Sequence, residues 1–231
     1  MEAVRLHGVG DLRHETVTAP AAPERDEVTL AVSVAGICGS DLHNYRTGAW
    51  ISRAPSVAGH EFTGSVTALG EGVSHVAIGD RVIVDSRWTC GTCQACRNGV
   101  RQVCTNLGFL GEVIDGGFAE QVTLPARNVI KAPAGVADRY LAMAEPLAVA
   151  LHALNLMDMP KGAEIVVAGC GPIGGLITLL ATRAGHPVKI LDRDNARTAL
   201  VAEATRAEVT SFEALSDHYY RHAIDTTGSP M

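Results

Sequence analysis

Four cysteines lie within fifteen residues of one another, a spacing that strongly constrains how this part of the chain can fold. The run is Cys90-x2-Cys93-x2-Cys96-x7-Cys104. Four thiolates so placed can close a tetrahedral zinc site with no free position, which predicts a structural zinc. A ferredoxin-type iron–sulfur run would have three residues, not seven, before the last cysteine and a proline after it, where this chain has Thr105. A redox CxxC pair would leave two cysteines unexplained.

The composition indicates a globular protein with one large or two modest domains. The chain has 231 residues, of which 47% are apolar and 19% charged. A net charge of -6 provides no basic face, which argues against nucleic-acid and anionic-membrane partners. The charged N-terminus does not resemble a signal peptide. We therefore expect a cytoplasmic protein, in which disulfides are rare and cysteines stay available for metal.

One uncharged run, residues 165–182, has to be weighed as a membrane span. Its 18 residues are of marginal length for a bilayer. Glycines and a proline at its centre, residues 169–175, would break an isolated helix in lipid. The run therefore predicts a buried strand, a turn and a helix.

The first 150 residues are rich in short β-type runs that glycines separate. Residues 28–34 alternate, as a half-buried strand does, and residues 62–70 and 79–84 resemble further strands. This pattern predicts a partly open antiparallel β-barrel.

The periodicity changes from Asp138 onward. Leu147, Leu151 and Leu154 fall at helical spacing, which predicts a helix with one apolar face. Further along the chain we predict strands at 164–168, 187–191 and 222–228, with helices from 173 to about 185 and from 196 to 205. A continuously apolar strand such as 164–168 is typical of a parallel sheet.

A glycine-rich turn, Gly169-x-Gly171-x-x-Gly174, follows the first of these strands and opens a helix, the context of a dinucleotide-binding turn. The first glycine permits the tight turn, the second lets a pyrophosphate approach, and the third lets the helix pack on the strand. Free N–H groups at the helix start would hold the phosphates. Asp192 ends the next strand and would accept hydrogen bonds from the ribose, which favours NAD over NADP, although Arg193 follows it directly. The predicted nucleotide site comprises Gly169, Gly171, Pro172, Ile173, Gly174, Asp192, Arg193 and Thr226.

A second metal site is predicted from Cys38 and from His60 with Glu61. A thiolate, an imidazole and a carboxylate are ligands that zinc accepts. Cys38 and His60 are too far apart in sequence for one turn or helix, so a folded scaffold has to bring them together. Such a site suits a catalytic metal, which keeps a position open. Taken singly, Cys38 is better explained as a buried structural thiol and His60 as a satisfied core histidine. The two together, with both flanking motifs intact, favour metal ligands.

At Cys38-Gly39-Ser40-Asp41-Leu42-His43 and Gly59-His60-Glu61 the chain resembles the zinc-dependent medium-chain alcohol and polyol dehydrogenases, most closely the sorbitol and L-idonate dehydrogenase branch. The resemblance implies an α/β plus β protein. A GroES-like partly open β-barrel catalytic domain would occupy residues 1–150, and an incomplete Rossmann NAD-binding domain residues 151–231.

The resemblance also implies roles for individual residues. The catalytic zinc would act as a Lewis acid on a substrate hydroxyl, with Glu61 or Glu145 beside the other two ligands. Glu145 could instead be an acid favoured by the start of its helix. Asp41 would orient the His60 ring. Ser40 and His43 would form a proton relay, the alternative for both being turn capping.

The family is longer than this chain, and Arg206 stands where it usually has glycine. We therefore expect half of the Rossmann domain, without the strands that the homo-oligomeric family uses to dimerise. The predicted function is zinc-dependent oxidation of a secondary alcohol (a polyol, sugar acid or related small molecule) by NAD. The alternatives are a truncated, inactive zinc-binding homologue or fragment, and an alkene reductase, against which Cys38, His60 and Glu145 argue.

Overall fold

The computed structural model describes residues 1–215 and 220–228 of the chain. They form two compact units, Met1–Glu145 and Pro146–Met231. The predicted boundary after residue 150 stays a prediction, and positions 216–219 and 229–231 of the predicted second domain lie outside the described residues.

The first unit is built mainly of antiparallel strands. Its strands are β1 (Glu2–Gly8), β2 (Asp11–Thr16), β3 (Glu27–Gly36), β4 (Ser56–Val57), β5 (Glu61–Leu69), β6 (Arg81–Val84), β7 (Arg87–Trp88), β8 (Gly108–Phe109), β9 (Gln121–Pro125) and β10 (Val129–Lys131). Its helices are α1 (Gly39–Thr47), α2 (Gln94–Arg97) and α3 (Asp138–Leu141). The strands form a five-stranded sheet in the order β10-β6-β5-β3-β9, a three-stranded sheet in the order β2-β1-β4, and the pair β7-β8.

A short segment before β9 links the two larger sheets. The N–H of Val4 on β1 donates to the carbonyl of Phe118 at 2.7 Å. The N–H of Val32 on β3 donates to the carbonyl of Glu120 at 2.9 Å. This link closes one side of the predicted, partly open barrel. The core between the strands consists of buried aliphatic and aromatic side chains, among them Val28, Leu30, Phe62, Val66, Val82, Leu110, Val122 and Leu124.

The second unit is a parallel sheet with helical crossovers. Its strands are β11 (Ile165–Ala168), β12 (Val188–Leu191), β13 (Glu208–Val209) and β14 (Ala223–Asp225), and its helices are α5 (Pro172–Arg183) and α6 (Asn195–Thr205). Helix α4 (Ala144–Leu156) precedes them. The strand order is β13-β12-β11-β14, and all pairs are parallel. The chain therefore reverses its direction of winding beside β11, and the carboxyl end of β11 lies at this switch point.

The uncharged run at 165–182 forms β11, the glycine turn and most of α5, as predicted. Ile165 and Val167 of β11 are fully buried, as strands of a parallel sheet covered on both faces are. Ile177 of α5, which is 1% exposed, belongs to the same core cluster. Within 1–215 and 220–228, no helix is both long and apolar enough for a membrane crossing.

The sequence predicted the wrong buried face for α4. The helix forms, but Leu147 and Leu151 are 38% and 47% exposed, whereas Pro146 and Ala150 are buried and Leu154 packs partly against the core. Residues 146, 150 and 154 form one i, i+4 row. The methyl group of Ala150, which is fully buried, lets that row lie close to its neighbours.

Candidate metal centres and nucleotide turn

The structure brings the four predicted cysteine ligands together. The Sγ atoms of Cys90, Cys93, Cys96 and Cys104 all lie within 4.8 Å of one another. The Sγ of Cys90 is 3.5 Å from that of Cys104 and 4.0 Å from that of Cys96. A tetrahedron of sulfurs about 2.3 Å from a zinc has edges of about 3.8 Å. The donor set therefore fits zinc, and the separations are too long for disulfides, since all four cysteines are free.

Backbone groups prepare this cluster for metal. The N–H of Cys93 points at the Sγ of Cys90 at 3.4 Å, and the N–H of Cys96 at the Sγ of Cys93 at 3.5 Å. Such donors lower the pKa of Cys93 to about 5 and that of Cys90 to about 7, whereas burial raises the pKa of Cys96 to about 11. Thiolates are the form that binds zinc, so the lobe already favours the ligand state at two positions.

Cys38, His60 and Glu61 form a second group whose ligand atoms lie within 4.8 Å of one another. Pairing of β3 with β5 produces this convergence, because Gly36 lies opposite Glu61 in the register. Cys38 follows β3 as the N-cap of α1, and His60 immediately precedes β5. A Cβ on Gly36 would lie 2.6 Å from an Oε of Glu61, so glycine leaves the room that this carboxylate occupies.

Asp41 faces the ring of His60 from the start of α1. Its Oδ2 accepts the backbone N–H of Cys38 at 2.9 Å, and its Oδ1 lies 3.8 Å from Nδ1 of His60. Burial, the largest single influence, lowers the pKa of His60, but a hydrogen bond with Cys38 and the charges of Asp41, Cys38 and Glu145 raise it to about 9. The surroundings of this ring are thus strongly negative, as a cation site requires.

Ser40 and His43 differ in their relation to this group. The hydroxyl of Ser40 lies 3.4 Å from Nε2 of His60. His43, one turn further along α1, is exposed, and its ring lies 4.7 Å from that of Trp50. The described residues show no hydrogen bond between Ser40 and His43, so the relay stays a prediction.

Glu145 lies near the second group but outside it. The three-residue cluster found among the described residues does not include it. The Ser86 hydroxyl donates to its Oε1 at 3.3 Å. Burial raises the pKa of Glu145, the charge of His60 lowers it, and that of Glu61 raises it. Its placement as an inner-shell ligand therefore stays a prediction.

A cavity of about 630 Å³ adjoins the second group. Ser40, Asp41 and His60 line it, and so does Glu112, which the sequence reasoning missed. Glu112 lies in a glycine-rich segment between strands and belongs to no recognisable motif, so no sequence signal pointed to it.

The three glycines of the turn differ in backbone conformation and in the space around them. Gly169 has a φ of 97°, a left-handed conformation that favours glycine. A Cβ on Gly174 would lie 1.8 Å from the carbonyl oxygen of Gly169, so helix and strand pack too closely for any side chain. A Cβ on Gly171 would meet nothing within 4 Å, which leaves space beside the turn. Pro172 and Ile173 begin α5.

Asp192 and Thr226 hold this turn at the switch point. The Oδ2 of Asp192 accepts the N–H of Cys170 at 2.6 Å. The hydroxyl of Thr226, which follows β14, lies 3.0 Å from the carbonyl oxygen of Ala168 and 3.2 Å from that of Gly169. The structure thus brings both predicted residues to the turn. Arg193 follows Asp192 beyond the end of β12.

Comparison with known proteins agrees with this architecture. The family model described as "Alcohol dehydrogenase GroES-like domain" matches residues 24–134. The starvation-sensing protein RspB of Escherichia coli K12 is 43% identical over 152 residues, which cover 66% of this chain and 45% of that protein. A sorbitol dehydrogenase of Halalkalibacterium halodurans is 38% identical over 195 residues, 84% of this chain and 56% of that protein. The chain spans about half the length of the curated relatives it matches.

Solved structures show the same fold. Galactitol-1-phosphate dehydrogenase from Escherichia coli superposes with a TM-score of 0.86 at 30% identity, covering 94% of this chain and 62% of that one. A zinc-binding dehydrogenase from Sinorhizobium meliloti bound to NADP gives 0.85 at 34% identity, covering 94% and 63%. An alcohol dehydrogenase (rspB) from Escherichia coli CFT073 complexed with NADH gives 0.80 at 34% identity, covering 100% and 64%.

The fold is therefore a GroES-like domain followed by a Rossmann-type unit, as predicted. The chain belongs to the zinc-dependent medium-chain alcohol and polyol dehydrogenase family.

Proposed function

We propose that this chain carries the metal site and the nucleotide turn of an NAD-dependent, zinc-dependent dehydrogenase. The reaction would oxidise a secondary alcohol of a polyol, sugar acid or related small molecule. The single observation that carries the proposal is the convergence of Cys38, His60 and Glu61, with ligand atoms within 4.8 Å of one another, next to a cavity that His60 and Ser40 line.

The donor set of the second group fits a catalytic zinc. It offers one thiolate, one imidazole and one carboxylate, which leaves a fourth position for substrate. A zinc held there would act as a Lewis acid on the substrate hydroxyl and make its proton easier to remove. The four-cysteine cluster would hold a second, structural zinc.

The residues around the site would orient the substrate and move its proton. Asp41 would hold the His60 ring through Nδ1, which leaves Nε2 on the side of Ser40. The Ser40 hydroxyl would take up the proton of the substrate hydroxyl while releasing its own proton, which the nucleotide ribose and then His43 would pass to solvent. Overall, the alcohol would lose a hydride to the nucleotide and a proton to solvent, and a carbonyl product would remain.

Asp192 supports NAD as the nucleotide. Its carboxylate stands at the end of β12 and would repel a 2′-phosphate. Related structures contain NADH in one case and NADP in another, so the preference has to be measured on this chain.

The test has three separate readouts on zinc-loaded protein: zinc content, NAD binding by titration, and NADH absorbance with a panel of polyols. We expect two zinc ions per chain, NAD bound more tightly than NADP, and turnover that Cys38→Ser abolishes. Loaded protein that neither binds NAD nor turns over any alcohol would refute the proposal.

The alternative is a non-catalytic zinc protein. It predicts zinc at the four-cysteine cluster alone and no functional effect of Cys38→Ala. The convergence of Cys38, His60 and Glu61 does not favour it, because a purely structural role needs no second cluster of ligands beside an open cavity.

A further inference from the structure

Glu145 is a carboxylate beside the second group to which the proposed reaction gives no role. The charges of His60 and Glu61 both act on it, so it lies near these two residues. It is nevertheless outside the cluster in which the ligand atoms of Cys38, His60 and Glu61 lie within 4.8 Å of one another. A carboxylate that joined this cluster would be a fourth ligand, and it would fill the position that a catalytic zinc keeps open for substrate.

The hydroxyl of Ser86 binds the Glu145 carboxylate where it stands. It donates a hydrogen bond to Oε1 of Glu145 at 3.3 Å. In the part of the chain that the structure describes, this is the one side-chain hydrogen bond to that carboxylate. Ser86 is only 3% exposed, so bulk water has little access to the hydroxyl. Moving the carboxylate away would leave a buried hydroxyl without its acceptor, which is unfavourable.

The backbone around Ser86 is fixed on both sides. The carbonyl oxygen of Ser86 accepts the N–H of Leu110, a fully buried residue, at 2.9 Å. The side-chain amide of Asn128 donates to the carbonyl oxygens of Asp85 and Arg87 at 2.7 and 2.8 Å. Asn128 is itself 2% exposed. Because one buried side chain ties both neighbours of Ser86, the hydroxyl is a donor with a fixed position and does not follow the carboxylate.

We propose that Ser86 is a positioning residue that keeps Glu145 out of the ligand set and thereby keeps the substrate position of the second group open. This inference rests on the proposed function, because it concerns the metal of the same site. A hydrogen bond to a fixed donor restricts the rotamers of the glutamate side chain. Without that donor, the carboxylate is free to turn toward a cation held by Cys38, His60 and Glu61.

Ser86→Ala tests this inference, because it removes the donor and leaves the three ligands unchanged. Chelator competition measures the zinc affinity of the second group, whose zinc ion is the one that Cys38→Ser does not bind. We expect Ser86→Ala to bind this ion about tenfold more tightly, the scale on which partners of metal ligands change zinc affinity. With an alcohol substrate, KM should rise while kcat changes little, since the substrate has to displace the added carboxylate before it reacts.

Two further variants show whether the change acts through Glu145. The neutral amide of Glu145→Gln is a weaker zinc ligand than a carboxylate, so the double variant Ser86→Ala, Glu145→Gln should bind zinc as the parent chain does. Glu145→Gln alone should also leave the zinc affinity unchanged, because Glu145 is not a ligand in the parent chain. This single variant keeps the serine and tests the inference even where Ser86→Ala does not fold.

Ser56→Ala is the matched control. Ser56 lies on β4 and is 4% exposed, so this variant also removes a buried serine hydroxyl from the first unit. Its zinc affinity should equal that of the parent chain. Circular dichroism and the zinc content of the four-cysteine cluster establish that each variant is folded.

Three results would overturn the inference. They are unchanged or weaker zinc binding in Ser86→Ala, tighter binding that persists in the double variant, and weaker binding in Glu145→Gln alone. The last would make Glu145 a ligand of the parent chain.

The two proposals fail in different ways. Zinc affinity that depends on Ser86 and Glu145, without turnover of any alcohol, refutes the proposed reaction and leaves the positioning role standing. Turnover combined with a zinc affinity that ignores Ser86 refutes the positioning role and leaves the reaction standing.

Discussion

Asp41 and His60 are linked through the start of helix α1. One carboxylate oxygen of Asp41 accepts the N–H of Cys38 at 2.9 Å, while the other lies 3.8 Å from Nδ1 of His60. The Asp41 side chain thus caps helix α1, which begins after the candidate ligand Cys38, and it also faces the ring of the candidate ligand His60. The capping contact that the structure shows is therefore compatible with the ligand-orienting role that the resemblance implies for this residue.

Asp41→Asn should separate these two roles. The amide keeps an oxygen for the N–H of Cys38, so we expect the free energy of unfolding to change by less than about 1 kcal/mol. Loss of the charge facing His60 should weaken zinc binding at the second group about 10–100-fold. Chelator competition measures the zinc affinity of the second group. The zinc ion of that group is identified as the one that the Cys38→Ser variant does not bind. Asp11→Asn, an exposed carboxylate paired with Arg13, is the control. Unchanged zinc affinity in Asp41→Asn would contradict the orienting role.

Gly174→Ala should lower the stability of the second unit, whereas Gly171→Ala should leave the fold intact and weaken NAD binding. The added methyl group at 174 would overlap the carbonyl oxygen of Gly169, so we expect the second unit to lose several kcal/mol of stability. The methyl group at 171 meets no protein atom within 4 Å, so that variant should remain folded but bind NAD more weakly. Urea denaturation and NAD titration separate the two. A Gly171→Ala variant that binds NAD normally would place the phosphates elsewhere.

Cys96→Ser should remove one zinc per chain and destabilise the first unit. The three remaining thiolates cannot close the tetrahedron, and the buried residues between β7 and β8 are only Thr89 and two of the cysteines, Cys96 and Cys104. Metal analysis and thermal unfolding measure the effect. Cys170→Ala is the control, since Cys170 lies in the glycine turn outside both clusters, and its zinc content should equal that of the unmodified chain.

The stability contribution of Asp192 should depend on pH. Backbone N–H groups, first that of Cys170 and then that of Asp194, hold the pKa of Asp192 below its usual value of 3.8. A lowered folded-state pKa contributes stability that is present above the unfolded pKa and is lost as the pH falls through the folded one. Asp192→Asn should therefore be less stable than the parent chain at pH 7, with a gap that narrows below about pH 4. Denaturation across pH 3–7 measures this, and a gap of constant size would contradict it.

Arg206→Gly should stabilise the second unit. Arg206 ends α6 with a φ of 63°, a left-handed conformation that costs a residue with a Cβ, while its N–H donates to the carbonyl of Ala202 at 2.7 Å. Glycine adopts this conformation freely, so we expect a gain of about 0.5–1 kcal/mol. Urea denaturation measures the gain. Arg206→Ala, which keeps the Cβ, should give none, and equal effects of the two variants would assign the change to the loss of the arginine side chain.

Features encoded within a few residues could be predicted from the sequence. The four-cysteine lobe needs only fifteen residues to bring its ligands together, and the glycine turn lies between one strand and the helix that follows it. The prediction of a helix through Leu147, Leu151 and Leu154 was correct for the same reason, since all three lie on α4. Its buried face was wrong, because helical spacing marks several apolar rows and only packing selects among them.

The candidate catalytic group depended on the tertiary structure. The sequence supplied a thiol and a distant imidazole, but the pairing of β3 with β5 sets their separation. Only the folded chain showed that Glu145 lies outside the three-residue cluster and that Glu112 lines the same cavity as Ser40. Local spacing determines which atoms meet within one turn or loop, because the chain between them is short. Contacts between residues that are distant in sequence are determined by strand register and burial, which depend on the chain as a whole.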